Sequence, residues 1–309
     1  MDLTNKKLDW QSILKDHIEW QQKLYPQENI SESYDELIPL LMENKIPSRV
    51  ILSNGKASAY AFFILPTNGD DRMYSTLGFE TGEIGDEKIT NLLKWLSNEA
   101  DRLHKTLVMN GIFNEPNNFR DILKENGFNI MDRIRMELII EESSLPDSEI
   151  DLGGYEITEI SNNNISDLSG ILFDSFRGIP ERILLPSRED AMKPFMNEIS
   201  RGIYGRIITD SSYKITKNGD DVGGIIFTDG KTEKERMPLL LFLFILEEFR
   251  GLKLSRSIIA NSLKSLKTHG YDSCQLWVDR NNFAYRIYKA IGFVEKESEK
   301  SPIYYKVPS

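Results

Sequence analysis

The sequence predicts an α+β protein of two tandem domains, each with a mixed, mostly antiparallel sheet flanked by helices. The chain has 309 residues, whereas single domains commonly hold about 100–200 residues. Turn motifs recur at one offset: Asn54-Gly55 and Asn218-Gly219 are 164 residues apart (218 minus 54), and Gly127-Phe128 and Gly292-Phe293 are 165 apart (292 minus 127). A repeat of that length indicates a duplicated domain rather than a solenoid.

The elements of the first domain follow from apolar spacing and turn signals. Ser33, with Glu36 three residues later, forms a capping box typical of a helix start, and Asn54-Gly55 is a strong signal for a two-residue hairpin. The predicted elements are helices at 8–24 and 33–43, strands at 49–53, 57–65 and 72–79, a helix at 84–103, a strand at 107–113, a helix at 117–125 and a strand at 133–140. We assign this domain to residues 1–142.

A change of composition separates the two domains. Residues 143–154 are rich in acidic residues and Ser, with Pro146 and Gly153-Gly154, and we predict a linker there. The second domain, residues 155–309, has predicted strands at 155–160, 212–216, 222–227, 238–246, 273–278 and 303–307, helices at 166–176 and 187–199, a helix after residue 253, and a short helix before Gly292.

Composition and charge narrow the function. The net charge of −10 and the pI of about 5.1 oppose nucleic-acid binding, which needs clustered Lys and Arg. An acidic surface fits a cationic acceptor such as an amine, or serves solubility alone. Cys274 is the only cysteine, so no internal disulfide forms and a reducing compartment is expected. Without a run of 18 apolar residues or an apolar leader, we expect a cytoplasmic protein that binds no membrane.

The stretch from Leu239 to Phe293 contains the residues that point to chemistry. An apolar strand ends at Leu246, a charged loop follows, and a helix begins after the loop. Unpaired N–H groups and the helix dipole make a helix N-terminus a site for phosphate and other anions. Arg250, Lys253 and Arg256 place three cations there. The alternative is a basic helix start exposed to solvent, which the dipole opposes unless an anion is present.

Three motifs in this stretch resemble the core of the GNAT superfamily of acyl-CoA-dependent N-acyltransferases. They are Arg250-Gly-Leu-Lys-Leu-Ser255, Leu276-Trp-Val-Asp-Arg-Asn281 and Ala284-Tyr-Arg-Ile-Tyr288-Lys-Ala-Ile-Gly292-Phe293. The loop departs from the family pattern, because Lys253 replaces its first glycine and Ser255 its small residue. The resemblance implies acetyl-CoA (coenzyme A) as co-substrate, no metal, and direct attack by a small-molecule or peptide amine. It leaves a homodimer open, and a tandem arrangement also resembles mycothiol synthase.

The resemblance also assigns roles to residues. Tyr288 would protonate the departing thiolate, because a phenol with a pKa near 10 is a proton donor at neutral pH; the alternative is a packing aromatic residue. We assign the general base to Glu235, with deprotonation through water left open. The implied cofactor-binding residues are Phe244, Ile245, Leu246, Arg250, Gly251, Leu252, Lys253, Leu254, Ser255, Arg256, Asn281, Ala284 and Tyr288, and the implied acceptor-binding residues are Phe176, Arg177 and Tyr204.

The first domain lacks the equivalent groups. Glu80-Thr-Gly-Glu83-Ile-Gly-Asp86-Glu87 would present four carboxylates to a phosphate, and Leu123 stands where the second domain has Tyr288. We therefore predict a degenerate first copy and an acyl-CoA-dependent N-acetyltransferase site in residues 155–309. The alternative is a non-catalytic CoA-binding or regulatory module, because a glycine in place of Lys253 would let the backbone approach phosphate more closely.

Overall fold

A computed structural model of the chain describes residues 8–24, 30–66, 70–80, 84–141, 154–230 and 237–308. It confirms the α+β prediction: seven of the strand pairings are antiparallel and two are parallel among these residues. The chain packs into two compact units, Met1–Met131 with Ser301–Ser309, and Asp132–Lys300. None of the helices described is both long enough and apolar enough to cross a membrane.

Eight helices and eleven strands make up the regular structure of the described residues. The helices are α1 (Trp10–Leu24), α2 (Ile30–Met42), α3 (Asp86–Leu103), α4 (Phe119–Glu125), α5 (Ser169–Ser175), α6 (Met192–Ser200), α7 (Leu254–Thr268) and α8 (Ala284–Ile291). The strands are β1 (Ser48–Ser53), β2 (Lys56–Ile64), β3 (Arg72–Phe79), β4 (Thr106–Asn110), β5 (Asn129–Ile139), β6 (Tyr155–Glu159), β7 (Tyr213–Lys217), β8 (Asp220–Thr228), β9 (Leu239–Ile245), β10 (Ser273–Asp279) and β11 (Val294–Lys306).

In the first unit, strands β1 to β4 lie in sequence order, and the end of β11 pairs antiparallel with β4. Helix α3 buries Ile89, Leu93 and Leu96 in one core of this unit, and α1 and α2 contribute to a second core. His17 of α1 is fully buried, with Nδ1 2.5 Å from the Tyr60 hydroxyl oxygen. Burial lowers the pKa of His17 to about 4, so this imidazole is neutral at pH 7.

In the second unit the strand order is β11-β5-β10-β9-β8-β7-β6. Helices α7 and α8 pack with β5 and β10 in one core, to which α7 contributes Ile258, Ile259 and Leu263. Helices α5 and α6 form a separate core with Phe242 and Phe244 of β9. Because successive side chains of a strand point to opposite faces, β9 supplies apolar residues to both cores.

Strands β5 and β11 do not follow the repeat in the sequence. β5 pairs antiparallel with β10 over seven positions, from Arg133 with Asp279 to Ile139 with Ser273, so a strand from the first repeat completes the sheet of the second unit. Conversely, Ile303 and the residues after it pair with β4 of the first unit. The boundaries 1–142, 143–154 and 155–309 follow the sequence repeat and stay a prediction. Residues 143–153 of the expected linker lie outside the described residues.

Some element boundaries differ from the sequence analysis, and each difference has a local cause. Helix α2 begins at Ile30, so Ser33 lies within the helix instead of capping it, because Ile30, Tyr34 and Ile38 share its buried face. The expected helices at 166–176 and 187–199 start with short 3-10 turns, Ile165–Leu168 and Glu189–Ala191. The last strand is longer than expected and begins at Val294.

Candidate functional site

Strands β9 and β10 of the second unit separate along their length. They run parallel and pair at one position among the described residues, Gln275 with Leu239, where the Gln275 N–H donates to the Pro238 carbonyl oxygen at 2.9 Å. Beyond that point β9 remains paired with β8 as far as Ile245 with Gly223, and β10 remains paired with β5. The two strands therefore diverge toward their C-terminal ends, as the family resemblance implies for the strand before the loop.

Two glycines of β8 let β9 lie close to it beside this opening. A Cβ atom at Gly223 would lie 2.6 Å from the Phe244 carbonyl oxygen, and one at Gly224 would lie 2.6 Å from Cζ of the Phe244 ring. Contacts this short are essentially never seen for real Cβ atoms, so a side chain at Gly223 would displace the backbone of β9, and one at Gly224 would displace the Phe244 ring or β7.

A cavity of about 540 Å³ occupies the opening, a volume typical of small-molecule sites. Its walls are mostly apolar and come from β5, β9, β10, the loop after β9, α7, α8 and the segment after α5. The residues in its lining that the sequence analysis had assigned are Phe176, Phe244, Ile245, Arg250, Gly251, Lys253, Leu254, Ser255, Arg256, Ala284 and Tyr288.

The loop after β9 turns into α7 through two residues with positive φ. Gly251 has φ +80°, and Lys253, the N-cap of α7, has φ 61° and ψ 7° in the left-handed region. Lys253 stands where the family pattern has glycine, and its backbone takes the conformation that glycine adopts without strain. The side chains of Lys253 and Arg256 are exposed beside the first turn of α7.

Arg250 holds the loop in place. Its Nε donates to the Ile245 carbonyl oxygen at 3.2 Å and its Nη2 to the Ser175 carbonyl oxygen at 2.7 Å. Its guanidinium lies 5.1 Å from the centre of the Phe283 ring. Two of its donors are thus bound to backbone carbonyl groups, and Arg250 is part of the cavity lining.

Tyr288 reaches the cavity from α8. Only 6% of its surface is exposed, and its ring meets Phe293 edge-on at 5.7 Å between centroids. Burial, with a smaller contribution from the Glu181 carboxylate, raises the pKa of the Tyr288 phenol above its usual value. The hydroxyl is therefore protonated at neutral pH and can act as a proton donor.

Glu181 is a buried carboxylate in the cavity wall that the sequence analysis missed. It lies in the 3-10 turn Pro180–Leu184 and is 7% exposed. Its Oε1 accepts from the Asp279 N–H at 2.8 Å, and its Oε2 accepts from Nδ2 of Asn282 at 2.6 Å. Burial raises the pKa of this carboxyl above its usual value. The available signal was one acidic residue in the segment from Ile179 to Leu185, which is otherwise apolar apart from Arg182.

Arg133 of β5 is a second charged residue in the wall that the sequence analysis missed. Its guanidinium lies 5.9 Å from the Trp277 ring centre. Its Nε is buried and has no hydrogen-bond partner among the described residues. Burial lowers the pKa of Arg133, and the negative charges of Glu181 and Asp279 oppose that shift. Arg133 precedes the linker in sequence, outside the domain in which the site was predicted.

Several predicted residues lie away from the cavity lining. Leu252 is 53% exposed and Tyr204 is 41% exposed, and Arg177 pairs with Asp174 at 2.7 Å. The Asn281 N–H donates to Oδ1 of Asp279 at 2.7 Å, whereas the neighbouring Asn282 lines the cavity. Leu246 follows the last residue of β9 and is outside the lining too. Glu235 lies outside the described residues.

In the first unit the equivalent strands stay together. β3 and β4 pair in parallel at four positions, from Arg72 with Thr106 to Ser75 with Met109, and Gly78 pairs with Phe113 further on. Leu123, the counterpart of Tyr288, is fully buried. At the strand ends lies a polar hollow whose lining includes Glu80, Asp86 and Glu115. Glu83 is outside the described residues.

No group of three His, Cys, Asp or Glu side chains able to hold a metal occurs in the part of the chain that the structure describes. The buried polar groups of the cavity wall include the Tyr288 phenol, the Glu181 carboxylate and Nε of Arg133. This arrangement can accept and donate protons and can bind charged groups within an apolar space.

Comparison with known proteins agrees with this geometry. Residues 185–302 match the acetyltransferase (GNAT) domain model. The structure is similar to a GCN5-related N-acetyltransferase from Sphaerobacter thermophilus, with a TM-score of 0.55, 14% identity, and coverage of 84% of this chain and 80% of that chain. It is also similar to a GCN5-related glucosamine N-acetyltransferase region of a fungal multi-domain GH3 beta-N-acetylglucosaminidase, with a TM-score of 0.52, 13% identity, and coverage of 84% and 33%.

A tandem GNAT protein from the clavulanic acid biosynthesis pathway gives a TM-score of 0.49 at 14% identity, with coverage of 84% of this chain and 82% of that chain. No match was found among curated proteins. At these identities the structural similarities show the fold alone. The chain therefore has the predicted GNAT-like α+β fold, and its residues 185–302 match the GNAT acetyltransferase domain model.

Proposed function

We propose that the protein transfers an acetyl group from acetyl-CoA to a primary amine in the cavity between β9 and β10. The observation that carries the proposal is the separation of these strands, with the start of α7 at the edge of the cavity and the Tyr288 phenol in its wall. Acetyl-CoA as the co-substrate, a small-molecule or peptide amine as the acceptor, and a cytoplasmic location belong to this proposal.

The start of α7 would hold the pyrophosphate of acetyl-CoA. Its first N–H groups have no partner within the helix, and Lys253 and Arg256 add positive charge next to them. A hydrogen bond between charged partners contributes about 1.5–3 kcal/mol, and less where it is exposed as here. The open edge of β9 near Phe244 and Ile245 would receive the pantetheine arm through backbone hydrogen bonds.

Tyr288 and Glu181 would move the protons. As the amine nitrogen bonds to the carbonyl carbon and the carbon–sulfur bond breaks, Tyr288 gives its proton to the departing thiolate. Before the attack, Glu181 takes one proton from the ammonium form of the acceptor and passes it to solvent; after the attack, a second proton from the nitrogen restores the Tyr288 phenol. The raised pKa of Glu181 brings this base closer to neutral pH, where general-base catalysis is more effective. The first assignment of the base, Glu235, stays a prediction.

Tyr288→Phe tests the proposal. We expect this variant to bind acetyl-CoA as the wild type does and to lose about 10²- to 10⁴-fold in kcat, which is the usual contribution of a general acid. Tyr285→Phe is the matched control, because Tyr285 lies on the same helix and its hydroxyl donates to Glu295 outside the cavity lining. An unchanged kcat in Tyr288→Phe would contradict the assigned role.

Binding is measured separately from turnover. A ligand at a hundredfold excess over its Kd stabilises the folded protein by about 2.7 kcal/mol, so millimolar acetyl-CoA should raise the melting temperature. Absence of any shift at that concentration would contradict the proposed site.

The second candidate is a non-catalytic CoA-binding module. Two observations favour this second function. Two donors of Arg250 are already bound to backbone carbonyl oxygens, and Lys253 stands where the family pattern has a glycine. A clear thermal shift with acetyl-CoA together with no acetylation of any amine in a broad panel would support this function over the first.

A further inference from the structure

The wall of the cavity contains a partly buried cation, Arg133, and a buried anion, Glu181, that are not paired with each other. Arg133 and Glu181 both line it, and each lies near enough to affect the ionisation of the other. No N···O distance within 4.0 Å joins them among the ion pairs of the described residues. A gap therefore separates two opposite charges on the wall of one apolar space.

The Arg133 guanidinium has hydrogen-bond donors that are not used within the described residues. Its Nε is buried without a partner, and no described residue accepts a hydrogen bond from its guanidinium. A buried donor without a partner destabilises the folded protein by about 1–3 kcal/mol, and more when it is charged. Such groups are rare in native structures and call for a functional explanation. A planar guanidinium is suited to binding a carboxylate through two parallel hydrogen bonds.

Glu181, in contrast, is fixed in position and still able to accept. The Asp279 N–H and Nδ2 of Asn282 each donate to one of its oxygens, which holds the carboxylate in one orientation. An ionised carboxylate has about four lone-pair positions, so each oxygen can accept one more hydrogen bond. A protonated amine in the gap would supply such donors.

We propose that Arg133 and Glu181 select the acceptor, and that the acceptor is an apolar α-amino acid with its carboxylate on Arg133 and its amino group at Glu181. This inference rests on the proposed function, because it names the substrate class of that same site. The apolar lining contributed by Phe176, Leu184 and Leu185 favours an aliphatic or aromatic side chain. In this arrangement the nitrogen that attacks the thioester lies beside its base.

The test compares acceptors that differ only in the carboxylate. Wild-type protein with saturating acetyl-CoA is assayed with leucine, phenylalanine and methionine, each against the amine that lacks the carboxylate: isoamylamine, phenethylamine and 3-(methylthio)propylamine. We expect at least one amino acid to exceed its amine by about 10²-fold or more in kcat/KM, because a site built to bind a polar group discriminates strongly against analogues without it.

Variants connect that ratio to Arg133. Arg133→Met should bring the ratio close to one by raising KM for the amino acid, with the Kd for acetyl-CoA unchanged, and Arg133→Lys should retain part of it. Arg135→Met is the matched control: Arg135 lies two residues along the same strand and pairs with Glu137, outside the lining. Urea midpoints verify that each variant is folded.

The outcomes separate this inference from the proposed function. Equal rates with each amino acid and its amine would overturn the assignment to Arg133 while acetyl transfer stands. A second result would also overturn the assignment to Arg133. In that result the wild type prefers succinyl-CoA to acetyl-CoA, Arg133→Met loses this preference, and the acceptor carboxylate has no effect. Arg133 would then bind the acyl chain instead of the acceptor. No binding of acetyl-CoA to the wild type would overturn both.

Discussion

Lys253 combines an unfavourable backbone conformation with a useful charge. Left-handed φ and ψ values destabilise a non-glycine residue by about 1–2 kcal/mol, and Lys253 adopts them at the N-cap of α7. The exposed ammonium lies beside N–H groups that we propose to bind phosphate. A lysine at position 253 therefore lowers the stability of the loop and adds positive charge at the proposed cofactor site.

Lys253→Gly should separate these two effects. We expect it to raise the free energy of unfolding by about 1 kcal/mol, because glycine relieves the left-handed strain, and to raise the Kd for acetyl-CoA several-fold. Lys253→Ala is the matched control, because it removes the charge and keeps the strain: the Kd should rise equally and the stability should stay near that of the wild type. Urea unfolding and titration calorimetry measure the two quantities. A less stable glycine variant would refute the account.

The sequence predicts some site residues and misses others for a physical reason. Tyr288 and the loop from Arg250 to Arg256 belong to one continuous segment, so their spacing indicates a shared site. Glu181 reaches Asp279 across 98 positions, and Arg133 arrives on a strand from the other repeat. Only tertiary packing brings these two charged side chains to the cavity, so their spacing in the sequence does not predict that they share a site.

At the scale of elements, the separation of β9 from β10 decides whether a unit has a cavity. The second unit pairs these strands at one position, whereas β3 and β4 of the first unit pair at four. The hairpins at Asn54-Gly55 and Asn218-Gly219 are confirmed, with positive φ at all four residues, because turn chemistry is local. The separation of β9 from β10 depends on how each strand pairs with its other neighbour. Local sequence patterns therefore do not predict it, and only the family resemblance implied it.

Gly223→Ala should disturb the cavity through β8. The added Cβ would lie 2.6 Å from a backbone oxygen of β9 and 3.2 Å from Cα of Ile245, so β9 must shift. We expect a loss of about 1–3 kcal/mol in the free energy of unfolding, as for other overpacked sites, and weaker acetyl-CoA binding. Denaturant titration and calorimetry measure both effects.

Gly170→Ala is the matched control for that variant. Gly170 lies in α5 with no atom within 4 Å of an added Cβ, and alanine is favoured over glycine within a helix by up to about 1 kcal/mol. This change should stabilise the protein slightly and leave binding unaltered. If both variants changed the free energy of unfolding and the acetyl-CoA affinity equally, crowding of β9 would not be the cause of the losses in Gly223→Ala.

For the whole molecule, the main feature is that the packed units differ from the sequence repeats. β5 supplies Ile134, Met136 and Leu138 to the core of the second unit, although it precedes the predicted linker. The end of β11 supplies Tyr304 to the core of the first unit. If the chain is divided at the boundary between its sequence repeats, the sheet of the second unit loses β5 and the sheet of the first unit loses the end of β11.

Two fragments test this exchange. Residues 129–300 contain the second unit with all of β5, and we expect this fragment to unfold cooperatively and to bind acetyl-CoA. Residues 155–309 lack β5 and leave the edge of β10 unpaired. The loss of three buried aliphatic side chains, each worth about 2–5 kcal/mol, approaches the whole stability of a domain, about 5–15 kcal/mol. This fragment should aggregate or stay unfolded in circular dichroism and sedimentation experiments, and a folded, ligand-binding 155–309 would contradict the exchange.

The late position of the β11 residues that pair with β4 also affects synthesis on the ribosome. Domains commonly fold in order as the nascent chain emerges, the N-terminal one first. Here the first unit gains its last strand only when Ile303 to Lys306 have left the exit tunnel. Until those residues emerge, the edge of β4 that they cover stays open, so chaperones that shield open strand edges should bind the nascent chain up to that point.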